Sequence, residues 1–419
     1  MRPAHLRRNV AMLGADYAFF MVALAFASPS TILPAFAASL GAPNVVIGAI
    51  PAVMTAGWFV PPLFVAAYTE GLARKLPFML RWTLWERAPF FVLAAAAYWL
   101  ADRAPALTLG LLLAMLLVVT GIGGALMPAW MDLIGRVIPL GMRGRFFAVA
   151  SVAASVAGLG ASALAADVLA TYPPSTAYAL CFLCGAACLA VSFVALALVR
   201  EPAAAATTPH AGLGAYLRRM PALLRRDSNL AWYLVARSLS SAATMASAFY
   251  TVHALRAWRT PPATVGIFTA LLLAGTIVGT IVLGWLADRV GHRLVIMAGI
   301  GSGVAANVVA LAATSLDTFG VVFALTGLQQ AAVTVSNLNV MLEFAPAPEE
   351  QPTYLGIGST SLAPVAFAAP LAGGVLADAA GFPVVFAASA LFGTAAVALL
   401  ALRVRDPRHA RALAVEGSA

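Results

Sequence analysis

Charge is scarce in this chain. Of its 419 residues only 10% are Asp, Glu, Lys or Arg, whereas 62% are hydrophobic, and the mean hydropathy is +0.92. No single core of a soluble domain this size can bury so much apolar surface, so the composition excludes an ordinary globular fold and makes lipid the solvent of most side chains. Acidic residues are the scarcer sign, 16 against 25 basic ones, leaving a formal charge of +9. That excess does not point to nucleic acid. The basic residues fall in small clusters between apolar runs and read as topology signals.

Histidine and cysteine are nearly absent, with five and three residues. Cys181, Cys184 and Cys188 share one apolar run without a histidine or acid nearby, and read as packing groups. His5, His210, His253, His292 and His409 are all expected in loops or tails, which argues against a histidine relay in the membrane. There are no paired histidines, no nucleophile beside a base and no Walker A phosphate loop. An enzyme, a resident metal or cofactor, and ATP-driven transport therefore have no support. Asp16 interrupts the first apolar run and no small-residue cleavage site follows, so that segment is expected to be retained and not removed as a signal peptide.

What the chain has in abundance is long apolar runs. At about 20 residues per crossing there is room for roughly twelve. They are expected at 10–38, 45–68, 77–100, 106–130, 146–169, 176–199, 229–252, 263–287, 294–314, 317–342, 354–377 and 382–402. Residues 200–228 read as a surface linker with a short basic amphipathic helix. The expected domains are thus a six-helix bundle at 1–199, the linker at 200–228, a second bundle at 229–402 and a tail at 403–419. Arg2, Arg7, Arg8, Arg74, Lys75, Arg81, Arg136, Arg143, Arg145 and others would share one side with the termini, against Arg103, Arg256 and Arg259 on the other. By the positive-inside rule both termini are expected in the cytoplasm.

The halves carry traces of a repeat. Asp132-Leu-Ile-Gly-Arg136-Val-Ile-Pro139 aligns without gaps on Asn339-Val-Met-Leu-Glu343-Phe-Ala-Pro346, making Arg136 and Glu343 candidates for an ion pair between halves. The most specific segment is Gly284-Trp-Leu-Ala-Asp288-Arg289-Val-Gly291-His292-Arg293, with a degraded copy at Ala66-Ala-Tyr-Thr-Glu70-Gly-Leu-Ala-Arg74-Lys75 and an echo at Gly373-Gly-Val-Leu-Ala-Asp378. It resembles the signature loop of the major facilitator superfamily of secondary transporters, Gly-x-Leu-Ala-Asp-Arg-x-Gly-Arg-Lys, with His292 in place of a basic residue. Gly284 is expected to permit close helix approach, and the loop to anchor the cytoplasmic face.

The resemblance implies an all-α integral membrane protein of twelve transmembrane helices in two pseudo-twofold-related six-helix bundles. It further implies a monomer, a small-molecule substrate moved by alternating access, and a bacterial inner membrane. In the family the signature loop helps latch one conformation, which would assign Gly284, Asp288, Arg289, Gly291 and Glu70 to that latch. The Gly-Pro pair common in the fifth span of its proton-linked drug exporters is missing from Ser155–Ser162.

Charges inside spans cost about 2.5–3.5 kcal/mol each on insertion scales and need partners or a function. Four are clearest: Asp16 in the first span, Glu86 and Arg87 in the third, and Arg237 in the seventh. Asp16 and Arg237 are expected to pair or to flank substrate. Asp16 is the leading proton-carrying carboxylate and Glu86 the second, with Glu86–Arg87 also readable as a structural pair. In the tenth span Gln330, Thr334 and Asn337 fall on one face and are candidate substrate ligands, joined by Tyr17, Trp130, Ser241 and Thr244. Met127, Trp130, Met131, Phe249 and Tyr250 are candidates for an apolar cavity wall, and Trp82 and Trp85 for the interfacial belt. The expected activity is proton-coupled efflux of an amphiphilic or cationic compound. Uptake of a polar metabolite such as a sugar or organic anion is the second reading, and a receptor or scaffold without transport the third. The expected partners are substrate, a proton or other coupling ion and the lipid bilayer, without nucleic acid.

Overall fold

The computed structural model describes residues 3–202, 223–345 and 350–406, which form fifteen α-helices and, among the described residues, no strand. The body of the expected linker helix, at 203–222, and most of the tail lie outside the described residues. Among the described residues, nine helices are long and apolar enough to cross a membrane. These are α1 (Pro3–Phe26), α6 (Pro105–Val137), α7 (Leu140–Thr171), α8 (Pro174–Ala197), α11 (Thr264–Val290), α12 (His292–Ala312), α13 (Leu316–Phe344), α14 (Gln351–Ala380) and α15 (Phe382–Leu402). Three further stretches stand where the remaining expected crossings fall. One is α5 (Leu76–Trp99), which carries Arg81, Glu86 and Arg87; the others are the broken pairs α3–α4 (Asn44–Phe59, Pro62–Glu70) and α9–α10 (Ser228–Ala242, Phe249–Trp258).

Three runs expected as continuous helices are interrupted. The first crossing breaks after Phe26 and resumes as α2 (Ile32–Ser39), because Pro29 has no N–H and restrains Ser28, whose carbonyl accepts from Thr31 and Leu33 instead. The second breaks at Pro61-Pro62, where two donors are missing in succession. The seventh breaks without proline: a 3₁₀ turn at Ala243–Ala246 joins α9 and α10, with the Thr244 hydroxyl donating to the Ser241 carbonyl at 2.7 Å.

The helices gather into two compact units. The first holds α1–α8 and residues 259–270, where α11 begins; the second holds α9, α10, the rest of α11 and α12–α15. In the first, α1 packs on α7 and α8, α5 on α6 and α8, and α3 on α6, around a core that includes Leu13, Met79, Leu126, Leu133, Phe146 and Leu196. In the second, α9 packs on α14 and α15 and α12 on α13 and α15, around Tyr233, Ile296, Met341, Tyr354 and Leu400.

A repeated clasp closes each unit. The Asn9 side chain donates to the Arg200 carbonyl and accepts from the Arg200 amide, both at 2.9 Å. Asn229 does the same with Arg405, at 3.0 and 2.8 Å. Both arginines stand three residues past the end of their helix, α8 or α15, so the same asparagine device satisfies backbone groups freed at the end of the last helix of each unit.

Three of the expected loop histidines are helical, and one of these is buried. His5 lies in α1 and His253 in α10, while His292 opens α12 and is 9% exposed. His210 and His409 lie outside the described residues.

Candidate functional site

Three charged side chains meet inside the first unit, each at most 6% exposed. Asp16 comes from α1, and Glu86 and Arg87 from consecutive positions of α5, where α1 and α5 both pack on α8. Arg87 Nη2 lies 3.1 Å from Asp16 Oδ1 and 2.8 Å from Ser192 Oγ of α8, and its Nη1 lies 3.3 Å from Glu86 Oε2. Its remaining donors reach the Leu189 carbonyl at 3.1 Å and the Thr83 carbonyl at 3.4 Å. The guanidinium is therefore saturated, as a buried charge must be.

The two carboxylates are held differently. Asp16 accepts from Ser192 at 2.6 Å and Arg87 at 3.1 Å through Oδ1, and from Trp130 Nε1 at 3.1 Å through Oδ2. Glu86 concentrates its contacts, Thr83 at 2.8 Å and Arg87 at 3.3 Å, on Oε2. Its Oε1 is directed at Gly123 of α6, where a Cβ would stand 2.6 Å away. Only glycine leaves that oxygen room. Two carboxylates and one guanidinium carry a formal charge of −1 in a setting made expensive for net charge by burial.

These groups line a cavity of about 130 Å³ together with Trp58, Met21, Met79, Met127, Tyr17 and Trp130. Tyr17 stacks on Trp130 with ring centroids 6.1 Å apart, Phe147 stands edge-on to Tyr17 at 6.4 Å, and Ser151 Oγ lies 3.4 Å from the tyrosine hydroxyl. Met127 and Trp130 thus belong to the wall, as the sequence suggested, whereas Met131 is 46% exposed and does not line it. Phe249 and Tyr250 are not cavity wall: both are buried core of the second unit, with the Tyr250 hydroxyl donating to Asn307 at 2.9 Å. Trp82 and Trp85 are exposed.

The expected pairing of Asp16 with Arg237 is replaced by the local one with Arg87. Arg237 sits in the second unit, 7% exposed, donating to Asn337 Oδ1 at 3.0 Å and Ser240 Oγ at 3.4 Å. Of the tenth-span face, Asn337 is half-buried on Arg237, while Gln330 and Thr334 are exposed. The Thr334 hydroxyl turns back to the Gln330 carbonyl at 3.0 Å. Ser241 is half-buried and Thr244 exposed.

Arg136 and Glu343 likewise find partners within their own units. Arg136 lies 2.8 Å from Asp132 and 3.5 Å from Glu201, and Glu343 Oε1 lies 4.0 Å from His292 Nε2. Glu201 was not singled out from sequence, yet its carboxylate caps α5, accepting the Lys75 and Leu76 amides at 2.8 Å each. Lys75 also bonds the Thr69 carbonyl and lies 3.3 Å from Asp132.

In the signature segment, Gly291 takes φ +97° between α11 and α12, a turn that needs glycine. Gly284 does not serve close approach, since a Cβ there would meet open space. Asp288 and Arg289 are exposed, with the Arg289 guanidinium 4.1 Å from the Trp285 ring centroid. Glu70 ends α4, and its side chain lies outside the described ones.

The whole fold has counterparts among solved transporters. It superposes on the nucleoside transporter NupG with TM-score 0.71 at 10% identity, covering 94% of this chain and 99% of that one. A bacterial homologue of the iron transporter ferroportin, in an inward-facing state, gives 0.68 at 13%, covering 94% and 98%. The E. coli fucose:proton symporter FucP gives 0.59 at 16%, also covering 94% and 98%. At these identities the likeness is one of fold. No curated protein matches the sequence. Sequence likeness comes from residues 238–418, which match the family model of the Major Facilitator Superfamily. That match covers under half of the chain, so the family likeness is one of its second half, and the likeness of the rest is one of fold. The signature segment, residues 284–293, lies inside the matched region.

Proposed function

We propose that this transporter expels a lipophilic or amphiphilic organic cation in exchange for a proton by alternating access, with Asp16, Glu86 and Arg87 as the coupling cluster. The observation that carries this reading is a buried cluster of formal charge −1 lining a cavity of aromatic rings and methionine thioethers. One proton, or one organic cation, brings the cluster to neutrality, and the two therefore compete for the same charge. Aromatic faces of Trp58, Trp130 and Tyr17 add cation–π attraction of about 0.5–2 kcal/mol for a cation seated against them. Direction follows from the membrane potential. A cation is drawn inward by about 2.3 kcal/mol per 100 mV, so a proton gradient is needed to send it out and not to bring it in. The termini are taken as cytoplasmic and the membrane as a bacterial inner membrane.

The test uses purified protein in liposomes with an imposed pH gradient, reading movement of tetraphenylphosphonium. Gradient-driven accumulation by the wild type, lost in Glu86→Gln, supports the proposal; gradient-independent traces in both proteins contradict it. A second reading rests on Arg237, whose donors reach the neutral Asn337 and Ser240. A guanidinium so placed suits an organic anion, with the exposed Gln330, Thr334 and Thr244 as further polar contacts. Stabilisation of the wild type but not Arg237→Gln by aromatic carboxylates, without any response to cations, would favour this reading.

A further inference from the structure

We propose that the second unit binds the phosphate headgroup of an anionic phospholipid, in a cleft formed by the start of α9, the first turn of α12 and the segment after α15. The cleft has a volume of about 1020 Å³ and is lined by Asn229, Trp232, Arg293, Arg403 and Arg405, with Asp406 beside them. Three guanidiniums against one carboxylate give it a formal charge of +2.

Its level in the membrane follows from helix length. The 21 residues of α15 span about 31 Å at 1.5 Å per residue, close to the thickness of a hydrocarbon core. Leu402, the last of them and 81% exposed, therefore marks the hydrocarbon edge. Arg403 and Arg405 follow one and three residues later, where lipid phosphates lie. Trp232, 39% exposed and one turn into α9, takes an interfacial position, and the Arg403 guanidinium stands 5.4 Å from its ring centroid. Leu402 at the hydrocarbon edge and Trp232 at the interface set the basic cleft beside acyl chain and glycerol, so a lipid phosphate reaches it while the lipid's own chains stay in the bilayer.

The charges are also held in place. Arg293 donates to the Leu400 carbonyl at 3.1 and 2.6 Å and to Ala401 at 3.1 Å, so a cation occupies the negative end of the α15 dipole. The Asn229 clasp fixes the backbone of Arg405, leaving its side chain available. The corresponding place in the first unit is built otherwise. There Arg200 Nη1 lies 3.4 Å from His5, and the next residue, Glu201, turns its carboxylate onto the start of α5.

The experiment is native mass spectrometry of the full chain, delipidated in detergent and offered equal phosphatidylglycerol and phosphatidylcholine. The expected result is retention of phosphatidylglycerol about thirtyfold over phosphatidylcholine, falling to near parity in Arg403→Gln/Arg405→Gln. An unchanged preference in the double variant overturns the proposal. So does displacement of the lipid by millimolar inorganic phosphate, which would make the cleft a free-phosphate site. Should the variant not fold, the wild type decides: a preference that vanishes in about 0.5 M sodium chloride supports the site and one that persists overturns it.

Discussion

Ser192 stands where α8 meets both α1 and α5, and it is the residue on which the buried charges turn. Its hydroxyl donates to Asp16 at 2.6 Å while accepting from Arg87 at 2.8 Å. Ser192→Ala takes one donor from Asp16 and leaves one Arg87 N–H without its acceptor in a buried site, and is expected to lower unfolding stability by about 1–3 kcal/mol, read from thermal unfolding in detergent. Gly123 acts on the other carboxylate. Gly123→Ala places a methyl group 2.6 Å from Glu86 Oε1 in the unrelaxed structure. It is expected to cost about 1–3 kcal/mol and to impair transport, an effect that Gly123→Ala/Glu86→Gln does not relieve if crowding alone is responsible, because Gln has the same shape. Sequence reading found Asp16, Glu86 and Arg87 because charge in an apolar run announces itself. By matching depth and sign it expected Asp16 and Arg237 to pair or to flank substrate, and it did not foresee Arg87 as the partner of Asp16, 71 residues away on a helix whose neighbour could not be inferred. Ser192 was overlooked although it is a polar residue within an apolar helix, and Glu201 because a carboxylate beside a linker looks like surface.

At the level of elements, the two asparagine clasps are equivalent in chemistry but belong to separate units. Asn229→Ala is expected to raise hydrogen exchange at the Arg405 amide and leave that at Arg200 unchanged, with Asn9→Ala doing the reverse. Exchange that rises at both sites in either variant would contradict independent clasps. Most crossings were legible from apolar run length, because lipid forces each backbone to satisfy itself in a continuous helix. The breaks were less so. Pro29, Pro61 and Pro62 were available as signals and were absorbed into runs read as continuous. The break at 243–248 has no proline, and only Ser241 and Thr244, with side chains able to bond the preceding turn, hint at it. Gly284 shows the opposite error: a signature glycine read as a packing position faces open space.

For the molecule as a whole, the proposal of transport rests on a fold shared with solved transporters and on the family match of residues 238–418, and the buried cluster bears on what would drive it. If one proton enters the cluster for each cation that leaves, the exchange moves no net charge and responds to the pH gradient but not to membrane potential. Potassium-diffusion potentials of either sign, applied at equal pH, should then leave the rate of tetraphenylphosphonium export unaltered. The most direct test of the coupling claim measures proton flux itself, with a pH dye inside liposomes during substrate movement, for the wild type, Asp16→Asn and Glu86→Gln. The account expects protons to move with substrate in the wild type, and Glu86→Gln to abolish proton flux while retaining substrate exchange at equilibrium; proton flux that survives unchanged in both variants would contradict it.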